Sequence, residues 1–251
     1  MTAEASHAVF TAFLVFCRVG ACLMLLPGIG GRHLPVQVRL FLAVAISLAF
    51  TPLLRGEMSG VAAPTNAVGF VLSVTSEVAV GAGIGLLARV FFLALQTMAN
   101  AMAQAIGLAS MPGLPLEDDE PLPAIATLIA FSATTLLFAT DLHLELIKGL
   151  FESYRRIPPS ATFTLRFALP DLVDQITAAY LLALRLASPF IIYSIIANLA
   201  VGIANKFTPQ IPVYFVATPF VLAGGMFLFY MLADGLLANF IQVVGTWLKG
   251  G

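Results

Sequence analysis

Three ionisable side chains, Arg18, Glu77 and Arg185, stand inside long uncharged runs of this 251-residue chain, with Arg89 a fourth. A full charge at mid-bilayer costs at least about 2.5 kcal/mol on insertion scales, so such residues are candidates for pairing, ion passage or proton relay. A relay needs acids and histidines in neighbouring spans, and only Glu77 and His143 offer the start of one. The plainer role is a structural pair, or a head group that snorkels to the interface. Glu77 opens the stretch Glu-Val-Ala-Val-Gly-Ala-Gly-Ile-Gly, in which Gly81 and Gly85 form a small-xxx-small face suited to close helix packing.

A second concentration of charge is Glu117, Asp118, Asp119 and Glu120, within a loop bounded by Pro112 and Pro121. Four adjacent carboxylates repel one another and must be solvated, cation-bound or paired with bases. A calcium loop of the EF-hand kind needs alternating oxygen ligands and a glycine, which this run lacks, so a solvated turn is the reading and no metal is expected. Amides form a third group. Gln96, Asn100 and Gln104 recur every four residues and so share one helical stripe, which faces protein or water. Asn198, Asn205 and Gln210 accompany Gly202 and Pro209 at the end of a long apolar run, where contact with other protein explains them better than contact with lipid. No metal-spaced histidine pair, nucleophile turn or phosphate loop is present, so neither an enzyme nor a cofactor is expected.

The elements that carry these residues are apolar helices. The chain is 60% hydrophobic and 10% charged, with a mean hydropathy of +0.99, which excludes a soluble domain. Residues 90–116, 122–140, 186–205 and 211–233 are uncharged runs that reach the roughly 20 residues a helix needs to cross a bilayer core. They are continuous instead of alternating, which favours helices over a barrel. We expect an all-α integral membrane protein, a single polytopic domain over residues 1–251, with helices at about residues 8–26, 37–54, 67–108, 122–148, 172–206 and 211–247. The third is about twice as long as one span and must bend, re-enter or project. The N-terminus lacks the basic start of a cleaved signal peptide, so the first helix is expected to persist.

Charge supplies little more. The net charge of -1 argues against nucleic acid as a partner. Arg32 and Arg39 flank the start of the second helix while Arg155 and Arg156 follow the fourth, and one span per helix would put these basic sites on opposite sides, so orientation is left open. Cys17 and Cys22 lie five apart, about 140° round a helix, and are read as buried free thiols.

The order and spacing of particular residues resemble the FliR family, membrane subunits of the flagellar type III export gate. The resemblance rests on Arg18-Val, Pro27 and the segment Gly31-Arg-His-Leu-Pro-Val-Gln-Val-Arg39, on Pro52, on Glu77 with Gly81 and Gly85, on Gly107-Leu108 and His143, and on Asn198, Gly202, Asn205, Pro209, Gln210 and Pro219. It implies partly broken helices packed in a helical export-gate assembly with FliP-like and FliQ-like subunits and a FlhB-like switch subunit, in the bacterial inner membrane at the flagellar basal body. Exported flagellar proteins would pass in transit, and lipid would border the assembly. It further implies that the loop over residues 108–121 helps gate the pore, with Leu108, Met111 and Leu114 at the narrowing and Glu117 to Glu120 following. Gly81, Gly85, Asn198, Gly202, Asn205, Pro209 and Gln210 would then face other subunits.

Three departures stand out. The family follows Gly-Leu with Ser-Phe and a short Asp-Pro turn, whereas this chain reads Ala109-Ser-Met-Pro-Gly-Leu, so methionine and leucine would form a softer gasket than an aromatic seal. Leu142 replaces the glycine before His143. Arg185 lies where the family is apolar, so it should meet a carboxylate, either Glu77 or an acid of another subunit. The alternatives to a flagellar gate subunit are the equivalent subunit of a virulence-type secretion system, or a self-sufficient small-solute transporter. The two halves show no repeat of the kind such transporters carry.

Overall fold

A computed structural model describes residues 2–31, 34–58, 66–109, 122–159 and 165–250. Among the described residues the secondary structure is eight α-helices: α1 (Thr2–Leu25), α2 (Val36–Leu53), α3 (Arg55–Met58), α4 (Ala67–Ala105), α5 (Ala124–Ala139), α6 (Leu142–Arg156), α7 (Leu165–Phe207) and α8 (Val213–Gly250). The all-α expectation holds. Five of these helices are long and apolar enough to cross a membrane, and the α5–α6 pair joins them if counted as one broken span.

Helix ends follow local chemistry. Gly107 has φ +82, its N–H donates to the Gln104 carbonyl at 3.2 Å, and the Leu108 N–H reaches back to the Ala103 carbonyl at 2.8 Å. This is the Schellman arrangement, which a left-handed glycine makes inexpensive. The Gly107-Leu108 pair is therefore the stop signal of α4. That helix runs 39 residues without a break, about 58 Å, so no interruption relieves its excess length.

The fourth expected helix, residues 122–148, is corrected. It breaks at Thr140 and Asp141 into α5 and α6. Asp141 takes the left-handed region at φ 57, which Asp tolerates better than most residues. The reason for the break lies beyond it. The sequence Leu-His-Leu-Glu-Leu-Ile-Lys-Gly-Leu-Phe-Glu-Ser-Tyr-Arg-Arg buries Leu142, Leu146, Leu150, Ser153 and Tyr154 on one face and carries five charges on the rest. A helix of that pattern packs by a stripe and cannot continue an apolar span.

The chain forms two compact units: Met1–Val90 with Asp141–Ile176 and Trp247–Gly251, and Phe91–Thr140 with Thr177–Thr246. The first unit holds α1, α2, α3, the opening of α4 and all of α6. Its core includes Leu14, Val15, Val19, Leu150 and Tyr154, and Phe50 meets Phe151 edge to face at 5.3 Å. The second unit holds the rest of α4, α5, and most of α7 and α8, around Phe91, Met98, Ile129, Phe190 and Phe240. Phe92 and Phe240 pack edge to face there, also at 5.3 Å. Gly225 sits so close to Ile106 that a Cβ would reach that side chain's own Cβ. Tyr193 donates to the Val221 carbonyl at 2.7 Å, tying α7 to α8.

Candidate functional site

Arg18 occupies the centre of the first unit. Its side chain and that of Glu77 are each 1% exposed, with Nε to Oε2 at 2.7 Å. Nη2 donates to the other carboxylate oxygen at 3.0 Å, closing a two-point fork. Nη1 donates to Ser153 Oγ at 3.2 Å, and Nη2 also donates to the Ile157 carbonyl at 3.0 Å. Ile157 is the C-terminal cap residue of α6, so the guanidinium satisfies a carbonyl left over at the negative end of that helix. The cation lies 4.0 Å above the Tyr154 ring, a contact that gains strength away from water. Tyr154 in turn donates to the Val15 carbonyl at 3.4 Å, and Ser153 donates to Leu150 at 2.6 Å.

Backbone proximity makes this possible. At Gly81 a Cβ would run into the Arg18 carbonyl, and at Gly85 it would stand 2.6 Å from the carbonyl oxygen of Cys22. The two glycines, one helical turn apart, let α4 lie directly on α1 and put Glu77 one turn before the point of contact. Gly81 and Gly85, which the family resemblance assigned to a face toward other subunits, meet α1 of this same chain. Among the described residues the ion pair of Glu77 is with Arg18, both carboxylate oxygens accepting from it.

Chemically this arrangement is a clasp. Arginine does not release its proton in proteins, and a carboxylate held by a two-point fork is fixed in place. What the cluster does is lock α1, α4 and α6 together. Cys22 is buried and Cys17 half-buried, and both are free thiols.

The remaining described candidates belong to the second unit. Asn198, Gly202, Asn205, Pro209 and Gln210 are all exposed, on the end of α7 and the turn before α8. Asn198 donates to the Ser194 carbonyl at 2.8 Å and to its hydroxyl at 3.1 Å. The turn at residues 208–212 is closed by Ile211 N–H to Thr208 at 3.1 Å and Val213 N–H to Ile211 at 2.7 Å. Gln96 and Asn100 are half-buried and Gln104 is exposed. Arg185 is exposed on α7 and makes no ion pair among the described residues. Leu108 is half-buried. Met111, Leu114, Glu117, Asp118, Asp119 and Glu120 lie outside the described residues, as does Arg32.

Sequence reasoning missed Ser153, Tyr154 and Ile157, which it treated as part of a loop. The signal was the spacing Leu142, Leu146, Leu150, Ser153 and Tyr154, a helical stripe that ends on two polar groups. It also missed Asp234, an exposed acid within α8. No charged residue lies between Lys206 and Asp234, or between Asp234 and Lys249.

These features define a class, a helical protein of several membrane-crossing segments, with one unit locked around a buried ion pair and a long, largely uncovered helical hairpin in the other. The chain belongs to the family described as bacterial export proteins, family 1, which it matches over residues 9–246, the family of the FliR proteins. It is 30% identical over 228 residues to the flagellar biosynthetic protein FliR of Caulobacter vibrioides, covering 91% of this chain and 90% of that one. The FliR protein of Escherichia coli is 24% identical over 230 residues, 92% of this chain and 86% of the other. The Yop proteins translocation protein T of Yersinia pestis is 25% identical over 219 residues, 83% and 80% of the two chains.

Proposed function

We propose that this chain is a subunit of a bacterial flagellar type III protein export gate, seated in the inner membrane at the flagellar basal body, and that it helps form the entrance for unfolded export substrates. It works there beside FliP-like and FliQ-like subunits and a FlhB-like switch subunit. Family membership supplies the context. The observation that carries the reading is the uncovered hairpin: within Val173–Phe207 and Val213–Leu248 the most apolar stretches are only 11% and 6% buried by their own chain. Phe207, Phe215, Phe220 and Tyr230 are among the exposed side chains, interspersed with the exposed amides Asn198, Asn205 and Gln210. Lipid would accept the phenylalanines but not the amides, whereas neighbouring protein accepts both. This chain contributes structure and gating, and no catalytic step is assigned to it.

The test is to tag the C-terminus, extract the chain from its native membranes in mild detergent, and identify what co-purifies and in what ratio. A fixed complex with several FliP-like and FliQ-like chains per copy is the expected result. A stable lone protein would overturn the reading in favour of a self-sufficient transporter, and co-purification with injection-system subunits would move it to a virulence-type apparatus, as the likeness to the Yersinia protein allows.

Gating we assign to the loop over residues 108–121, with Leu108, Met111 and Leu114 narrowing the pore. Deleting residues 108–114 should make membranes that hold assembled complexes leak small solutes, measured as dye or ion flux. Unchanged permeability at normal complex yield would remove the plug from this loop.

A further inference from the structure

We infer that Arg185 and Asp234 are a two-sign docking pair, covered in the assembled state by one separate membrane chain that presents a carboxylate to the arginine and a basic group to the aspartate. The inference deepens the gate-subunit reading and rests on it. Both residues belong to the second unit, both are exposed, and both sit within helices apolar enough to cross a membrane. Among the described residues neither makes an ion pair. Arg185 is flanked by uncharged sequence from Asp174 to Lys206, and Asp234 by uncharged sequence from Lys206 to Lys249.

The two lie near one depth. Tyr193 of α7 bonds Val221 of α8, and Ala183 of α7 and Phe240 of α8 line one shared cleft. Counting along the antiparallel hairpin at about 1.5 Å per residue, the first anchor puts Asp234 about 8 Å farther from the turn than Arg185 and the second about 6 Å nearer to it, so the two anchors bracket a common level. Arg185 also points away from the buried face of its own helix, since Ala179, Ala183, Ala187 and Phe190 form the buried stripe of α7 and Arg185 falls about 200° round the helix from Ala183.

The surroundings decide what covers the pair. Leu181, Leu184 and Ile192 are exposed beside Arg185, and Phe227, Tyr230 and Met231 beside Asp234. Isolated charges in an apolar surface are the pattern of an interface, in which each charge must be met when water is excluded. An anionic lipid head group would meet the arginine, but at the same level it would repel the aspartate. A helix carrying an acid and a base about one turn apart satisfies both and fixes its own depth and register against the hairpin.

Photo-crosslinking in native membranes tests this with both charges intact. A benzophenone amino acid is placed at Leu184 and, separately, at Met231, and the adducts are identified by mass spectrometry. Adducts from both positions to the same separate membrane chain are expected. Adducts to lipid alone, to a second copy of this chain, to two different chains, or none would overturn the inference. In parallel, Arg185→Glu and Asp234→Lys are each expected to reduce the co-purified partner, per tagged chain, by about tenfold or more. The double variant that exchanges the charges should stay as low as either single one. Recovery in that exchange would mean that the two residues pair with each other, which also overturns the inference. If the unaltered chain brings down no other membrane subunit, the gate-subunit reading itself falls. If it does, and both reversed variants bring down as much, only the docking pair falls.

Discussion

Arg18 and Arg185 are the same residue type, each in the middle of an apolar helix, yet the chain treats them in opposite ways. Arg18 is buried with a carboxylate, a hydroxyl, a carbonyl and an aromatic ring around it. Arg185 is exposed and, among the described residues, makes no ion pair. The difference separates two jobs. The first arginine completes the fold of one unit, so its loss is a stability event. The second completes no ion pair among the described residues, so its loss should be felt chiefly when other chains are present.

The sharpest way to break that distinction is at the clasp. Glu77→Gln leaves a buried guanidinium without its counter-charge and should cost about 3–5 kcal/mol, enough to deplete the chain from membranes. Arg18→Leu should do similar damage by stranding the carboxylate. The double variant Arg18→Leu with Glu77→Leu should be less harmful than either change alone, because it removes the stranded charge along with the attraction. Chain abundance in membranes and thermal unfolding of the detergent-extracted complex give the comparison. Costs that simply add would mean that the two side chains do not act as a pair.

A smaller effect is expected one helical turn away. Gly81→Ala puts a methyl group into the Arg18 carbonyl, so α1 and α4 must separate, at about 1–3 kcal/mol. Gly83 is the internal control, because a Cβ there meets nothing within 4 Å. Gly83→Ala should be neutral or stabilising by up to about 1 kcal/mol, since alanine is the better helix former. The same unfolding measurement reads both. Equal outcomes for the two glycines would show that close approach at Gly81 contributes nothing.

These contrasts also mark what the sequence made legible. Helix positions were readable because uncharged runs of bilayer length leave few alternatives, and α2, α4 and α8 fall where hydropathy put them. The break at Asp141 was not, because apolar residues continue on both sides and only the change from an all-round apolar pattern to a striped one betrays it. Arg18 and Glu77 were each recognisable as costly charges. Their pairing spans 59 positions in sequence, and nothing local says which distant acid an arginine meets. The Gly81 and Gly85 spacing announced close packing, but not that the surface to be met was α1. Asp234 was not legible because residues 211–233 already make an uncharged run of bilayer length, so an acid directly after it reads as the end of a span.

The smallest expected effect is the most informative about the second arginine. Arg185→Leu removes a charge that, among the described residues, makes no ion pair, and replaces it with a residue like its exposed neighbours Leu181 and Leu184. Surface substitutions away from such partners usually stay within about 0.5 kcal/mol, and insertion into the membrane should become easier because leucine is favourable where arginine is costly. Pulse-labelled in membranes before assembly with other subunits, the variant should therefore be at least as abundant as the unaltered chain, whereas Arg18→Leu should be strongly depleted under the same conditions. A comparable loss for both would mean that Arg185 completes its own chain after all, and the division between an arginine that folds the protein and one that joins it to others would collapse.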